Sequence, residues 1–204
     1  MDSRDRIIRA AVEVFAEAGY RGATTRRIAH QAGVNEVTLF RHFGSKEELI
    51  EEALAHMGEW DEAGDQHLAE KPGDCVVELT EFARAQLEHL FRIRSLIRTC
   101  MGEGEERPGI TTHATERPRR VHDELLAYLR RLRDNGVVDA DADVEVAATM
   151  LMGSLFSDAM GRDYMPGAYT YSIEEAPARY VALILRSLGV RARELRQRGK
   201  AEER

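Results

Sequence analysis

The residues best suited to chemistry crowd into one short stretch. Between Arg21 and Lys46 stand Arg21, Arg26, Arg27, Arg41 and Lys46 against one acid, Glu36, a local balance of +4, with His30 and His42 in the same segment. The chain as a whole is the reverse: 29 Lys and Arg against 36 Asp and Glu give −7. A basic patch on an acidic protein suits phosphate, while the remaining surface discourages non-specific attachment to polyanions. Thr25, Asn35 and Thr38 lie among these charges and add short polar side chains for hydrogen bonding.

Such groups meet a ligand in register only if rigid elements carry them, and the surrounding pattern is helical. Ile8, Ala11, Val12, Phe15 and Ala18 fall at i, i+3, i+4, i+7 and i+10, one face of a first helix. Gly19 is expected to end it in a left-handed conformation. Thr24 or Thr25 caps a short helix through Ala32, with Ile28, Ala29 and Ala32 inward. Gly33 makes a turn, and Asn35 caps a second short helix to about His42, with Val34 and Leu39 inward. Ser45 and Glu48 form a Ser-x-x-Glu capping box for a helix running to about Met57. Ala29 and Gly33, four residues apart, allow two helices to cross closely, so residues 24–43 read as a helix-turn-helix. That unit leaves the N-terminal residues of its second helix free to enter a major groove.

The stretch from Thr24 to Leu49 resembles the DNA-binding domain of the TetR (tetracycline-repressor) family of bacterial regulators. The matching residues are Thr24-Thr25, Ile28-Ala29, Ala32-Gly33-Val34, Thr38-Leu39-Phe40, His42-Phe43 and Ser45-Lys46-Glu47-Glu48-Leu49. The resemblance implies a DNA-binding domain over 1–50 and a variable helical domain for effector binding and dimerisation over 51–190, leaving 191–204 as a basic polar tail. Two positions depart from the family. It usually has Tyr at Phe40, whose hydroxyl is expected to meet a phosphate; Phe40 has no such proton to give and is expected to pack instead. It often has a small residue at Val37, where a branched group can touch a thymine methyl.

The resemblance and the side-chain chemistry assign the DNA contacts as follows. Thr25 and Arg26, at the start of the first motif helix, are expected to hold phosphate, and Thr38 and His42 to do so from the second. Lys46 adds its charge to the positive end of the next helix. Asn35, Glu36 and Val37 are the candidates for base edges; Glu36 can accept from cytosine N4. Glu36 also reads as a first-turn dipole partner, Thr24 as a cap, and Arg27 and Arg41 either as phosphate contacts or as solvated surface arginines. Phe40 and Arg41 complete the expected interface.

Beyond Lys71-Pro72-Gly73-Asp74, a break, helical pattern resumes from Asp74 to Arg98. A loop over Gly102–Gly109 precedes a helix from about Pro118 to Asn135, stopped by Gly136. Asp141 or Asp143 caps a helix to about Arg162, and after a loop from Met165 to Tyr171 a last helix runs from about Glu174 to Leu188, with Ser172 and Glu175 as a capping box. The fold class is all-α, with about nine helices. The helix over 143–162 is apolar almost all round, so it faces its own core on one side and another surface on the other. With the helix carrying Tyr180, Val181, Leu183 and Leu185 it suits a two-fold homodimer, which the resemblance also implies and which predicts a near-palindromic operator. Gln86 and His89 interrupt an apolar stripe with Phe82; with Met101, His122 and Phe156 they are candidates to line an effector cavity, or are satisfied within the core.

Other classes lose ground on composition. Apolar residues make up 43% and charged residues 32% of 204, a globular balance. No apolar run approaches a membrane span and no secretory leader is visible, so a cytoplasmic protein without membrane attachment is expected. Cys75 and Cys100 are too few for a disulfide framework and read as ordinary thiols. Asp139, Asp141 and Asp143 alternate like a calcium loop but lack its central Gly and closing Glu; His-Glu-x-x-His, Cys-x-x-Cys and Gly-rich phosphate loops are absent. No cofactor, metal or enzymatic nucleophile is expected. The expected function is a ligand-responsive DNA-binding regulator, a repressor released from its operator by a small molecule. The rivals are a small-molecule-sequestering protein with a vestigial motif, an activator of the same family, and an all-α enzyme.

Overall fold

Asp2 starts the first helix: its side chain accepts from the Asp5 amide at 3.0 Å. The structure, a computed structural model, describes residues 2–60, 68–70, 72–103, 106 and 108–190, so the basic tail expected over 191–204 lies outside the described residues. Helix α1 (Ser3–Gly22) buries Ile7, Ile8, Ala11, Val14 and Phe15 along one face. Gly19 adopts φ 67°, ψ −177° and breaks the helix where expected, but one further turn follows to Gly22 and carries Tyr20 into the core.

Helices α2 (Thr25–Ala32), α3 (Glu36–Phe43) and α4 (Lys46–Trp60) follow within a few residues of one another. Each start is capped locally: Thr24 Oγ1 accepts from the Arg27 amide, Asn35 Oδ1 from the Thr38 amide and Ser45 Oγ from the Glu48 amide. Each such cap is worth about 1 kcal/mol. Gly33, at φ 67°, ψ 37°, closes α2 by donating to the carbonyls of Ala29 and His30. That left-handed turn swings α3 across α2 and seats Ile28, Ala29, Leu39 and Phe43 against α1 and α4 in one core.

The chain divides into two compact units, Met1–Glu62 with Ile93–Pro118 and Ala63–Arg92 with Arg119–Arg204. Residue 50, where the sequence suggested a boundary, falls inside α4, because Leu49, Ile50, Ala53 and Leu54 all belong to the core of the first unit. Helix α5 (Cys75–Glu103) adds Leu96 and Cys100 to that core, and Ser95 and Thr99 donate to the Ala16 carbonyl, which the break at Gly19 leaves near the helix end.

The core of the second unit is built from Leu79, Phe82 and Leu87 of α5, Leu125, Tyr128 and Leu132 of α6 (Pro108–Asp134), Ala148, Leu151 and Leu155 of α7 (Val144–Gly161), and Val181 and Leu185 of α8 (Ala176–Ser187). Tyr128 is fully buried and donates its hydroxyl to Glu78 at 2.7 Å; burial first, then that bond, pushes its titration upward. Asp143 rather than Asp141 caps α7, accepting from Val146 at 3.0 Å. Ser172 and Glu175 exchange backbone-to-side-chain bonds as a capping box does, and α8 begins directly after, with Pro177 in its first turn.

Among the described residues the fold is all-α: eight α-helices, a 3-10 turn at Pro166–Ala168 and no strand. Two boundaries correct the sequence reading. Helix α5 runs five residues past Arg98, and α6 begins at Pro108, ten residues before Pro118, which sits inside it. Both prolines satisfy the preference for a first-turn position, and only the earlier one occupies it. No helix among the described residues is long and apolar enough to cross a membrane.

Candidate nucleic-acid interface

The polar residues at the heads of α2 and α3 are largely engaged with one another. Asn35 Oδ1 accepts from both the Thr38 amide, at 2.8 Å, and the Thr38 hydroxyl, at 2.9 Å. Thr38 therefore directs its one hydroxyl proton into the cap. Thr25, expected to hold phosphate through its side chain, instead donates that proton to Glu36 Oε2 at 2.8 Å. Either hydroxyl reaches a phosphate as a donor only by exchanging this bond.

What α3 leaves outward is mainly apolar and cationic. Val37 is 76% exposed. Phe40 does not pack inward as expected: it is 45% exposed, because Leu39 and Phe43 already fill the inward face of α3. Arg41 and His42 are exposed beside it, and His42 Nε2 lies 3.4 Å from the Ser3 hydroxyl at the head of α1. Close by, the Asp5 amide first, and His42 to a lesser extent, hold the Asp2 carboxyl below its usual range.

The remaining cations divide. Arg26 is exposed at the head of α2. Arg27 is exposed and pairs with Glu17 at 2.6 Å; with Gln31 on Glu13 it ties α2 to α1. Lys46 is half-buried, its ammonium 4.1 Å from the centre of the Tyr20 ring and donating to the Tyr20 carbonyl, while the Tyr20 hydroxyl donates to Glu47. Sequence reasoning missed Tyr20, Glu47 and Ser3, since no periodic signal links α1 to α3 and α4. What the heads of α2 and α3 leave exposed is thus apolar at Val37 and Phe40 and cationic at Arg26 and Arg41, with His42 beside them in the chain.

Of the six expected effector contacts, five lie on the second unit. Phe82, Gln86 and His89 are buried along α5 in the second unit. His122 is half-buried with Nε2 3.4 Å from Thr149 Oγ1, and Phe156 is 38% exposed. Met101 belongs to the first unit and is 64% exposed. An open groove of about 370 Å³ lies on the second unit, between Met150, Gly153, Ser154 and Ser157 of α7 and the rings of Tyr169, Tyr171 and Tyr180. No group of His, Cys, Asp and Glu able to hold a metal ion occurs among the described residues.

Comparison with known proteins agrees with this geometry. Residues 7–53 match the bacterial regulatory proteins of the tetR family, and residues 77–186 match the C-terminal domain of AefR-like transcriptional repressors. The HTH-type transcriptional regulator YvkB of Bacillus subtilis is 30% identical over 149 residues, 70% of this chain and 74% of YvkB. Salmonella enterica GusR superposes with a TM-score of 0.68 at 26% identity, over 90% of this chain and 95% of GusR. The regulator FadR of Bacillus subtilis, solved in complex with stearoyl-CoA, shares the fold with a TM-score of 0.69 at 23% identity, over 89% and 97%. The helix-turn-helix of α2 and α3, its exposed tip and these matches together show that the chain belongs to the tetR family of DNA-binding transcriptional regulators, a non-enzymatic family.

Proposed function

We propose that this regulator is a repressor: two copies bind a near-palindromic operator, and a small molecule in the second unit releases them. The observation that carries the operator reading is the 76% exposure of Val37 at the head of α3, flanked by Arg26, Arg41 and His42. Val37 meets thymine methyls, Arg26, Arg41 and His42 meet phosphate, and Lys46 contributes to the field from the head of α4. Thr25 and Thr38 face phosphate through the amide ends of their helices, and Asn35 and Phe40 shape the contact.

The dimer is supported by the outer faces of α7 and α8, where Val146, Met150, Phe156 and Leu183 are exposed. A homodimer that covers them removes an apolar surface from water and sets two α3 helices one turn of DNA apart. The effector reading is supported by Gln86 and His89, polar groups buried among Phe82, Leu87 and their neighbours, and by the match to a repressor's C-terminal domain. An effector must bind the released form more tightly than the DNA-bound form, or it shifts nothing.

The test is enrichment of genomic fragments by the purified protein at two salt concentrations, followed by sequencing. A recovered palindrome whose affinity falls steeply with salt supports the operator reading. No enrichment and no salt-dependent binding overturns it.

A further inference from the structure

The head of the reading helix is held by a side chain from the helix before it. Thr25, the first residue of α2, donates its hydroxyl to Oε2 of Glu36, the first residue of α3, at 2.8 Å. One carboxylate oxygen is thereby fixed, and the carboxylate as a whole turns no further than that bond allows. Its polar neighbours are committed elsewhere: Asn35 Oδ1 and the Thr38 hydroxyl close the cap on each other. Glu36 is the oriented acceptor in this turn.

A carboxylate brought between two phosphate backbones is repelled unless it meets a donor. The donors on the major-groove floor are cytosine N4 and adenine N6. Adenine sets its N7 acceptor beside that donor, so a second carboxylate oxygen faces an acceptor there; cytosine carries no such neighbour on the same base. We infer that Thr25 is a positioning residue for base readout: by holding Glu36 it makes the protein select cytosine at one position of each half-site. The inference rests on the operator reading proposed above. A bond that merely clipped α2 to α3 acts differently, because its loss weakens binding to every sequence alike.

The experiment is selection from a library of randomised palindromic duplexes by the full chain and by Thr25→Val, Thr25→Ser and Glu36→Gln, with helicity of each variant checked by circular dichroism. The parent is expected to enrich cytosine at one position per half-site. Glu36→Gln moves that position to adenine, which a glutamine amide reads through N6 and N7 together. Thr25→Val lowers the cytosine preference there about tenfold and leaves other positions intact, and Thr25→Ser restores it.

A Thr25→Val profile identical to the parent's, with all affinities lowered equally, overturns the inference. So does an unchanged profile for Glu36→Gln, and this near-isosteric variant at a half-buried position decides the matter even if Thr25→Val fails to fold. A palindrome with no position that depends on Glu36 removes only this inference and leaves the operator reading standing. If the parent enriches no sequence, both fall.

Discussion

Asp158 is wholly buried in α7, and Arg162, one turn later, closes on it with Nε 2.5 Å from Oδ1 and Nη2 3.0 Å from Oδ2. The Tyr180 hydroxyl of α8 donates to Oδ2 at 2.5 Å, and Arg162 Nη1 donates to the Tyr171 carbonyl at 2.8 Å. The arrangement fastens the segment after α7 to both helices, and the bond to Asp158 raises the Arg162 titration further above its ordinary value. Removing one member of a buried pair leaves an uncompensated charge, so Arg162→Met is expected to lower stability by about 3 kcal/mol. Tyr180→Phe removes two hydrogen bonds, to Asp158 and to the Tyr171 hydroxyl, and is expected to cost about 2 kcal/mol. Urea unfolding measures both; equal midpoints for Arg162→Met and the parent contradict the expectation.

Arg26 and Lys46 should part company in a salt titration. Arg26 is exposed, so Arg26→Ala is expected to weaken binding to all sequences and reduce the salt slope by about one unit. Lys46 gives part of its charge to the Tyr20 carbonyl and ring. Lys46→Ala is expected to reduce the slope by less and to lower the melting temperature as well. A full unit of slope lost without any change in melting places the Lys46 ammonium on phosphate instead.

Val37 offers the opposite contrast. At 76% exposure its replacement by Ala is expected to change stability by less than about 0.5 kcal/mol. The same change should alter which operators are preferred, because it withdraws methyl groups from the groove. Competition between operator variants, with thermal melting as control, reads both effects.

The Cys100 thiol is pushed from its ordinary 9.0 up to about 11 by burial. The native state keeps the thiol proton after the unfolded chain has lost it. The contribution to stability is therefore complete below pH 9 and disappears as pH rises toward about 11. Tyr128 and Tyr180 are raised as well, from 10.0, and steepen the fall at the upper end. Cys100→Ala is expected to lose less than the parent across this range, by at most about 2 kcal/mol. Matching pH profiles for the two proteins would exclude the thiol as the cause.

The helix-turn-helix was legible because its signals are local. Thr24, Asn35 and Ser45 each cap a helix within three residues, and Gly33 supplies the one conformation the turn requires. The start of α6 was not legible, since Pro108 and Pro118 obey the same first-turn rule and only tertiary packing chooses between them. The pair Thr25–Glu36 spans 11 residues and Lys46–Tyr20 spans 26, distances at which no periodicity speaks. Phe40 was judged by what it lacks relative to Tyr; its exposure follows from Leu39 and Phe43 having taken the inner face. Gln86 and His89 are legible as polar groups on an apolar face because they interrupt a helical stripe, and both are buried.

The cap at the head of α3 is internal to the chain, Asn35 holding Thr38 by two bonds and Thr25 holding Glu36 by a third. Docking on DNA then orders no new backbone, only the outward side chains. On the operator reading proposed above, arrival is set by diffusion and by the long-range pull of exposed cations such as Arg26 and Arg41 on the duplex, and is expected to slow as salt screens that pull. Good and poor operators, met at similar rates, are separated by how long the protein stays on them.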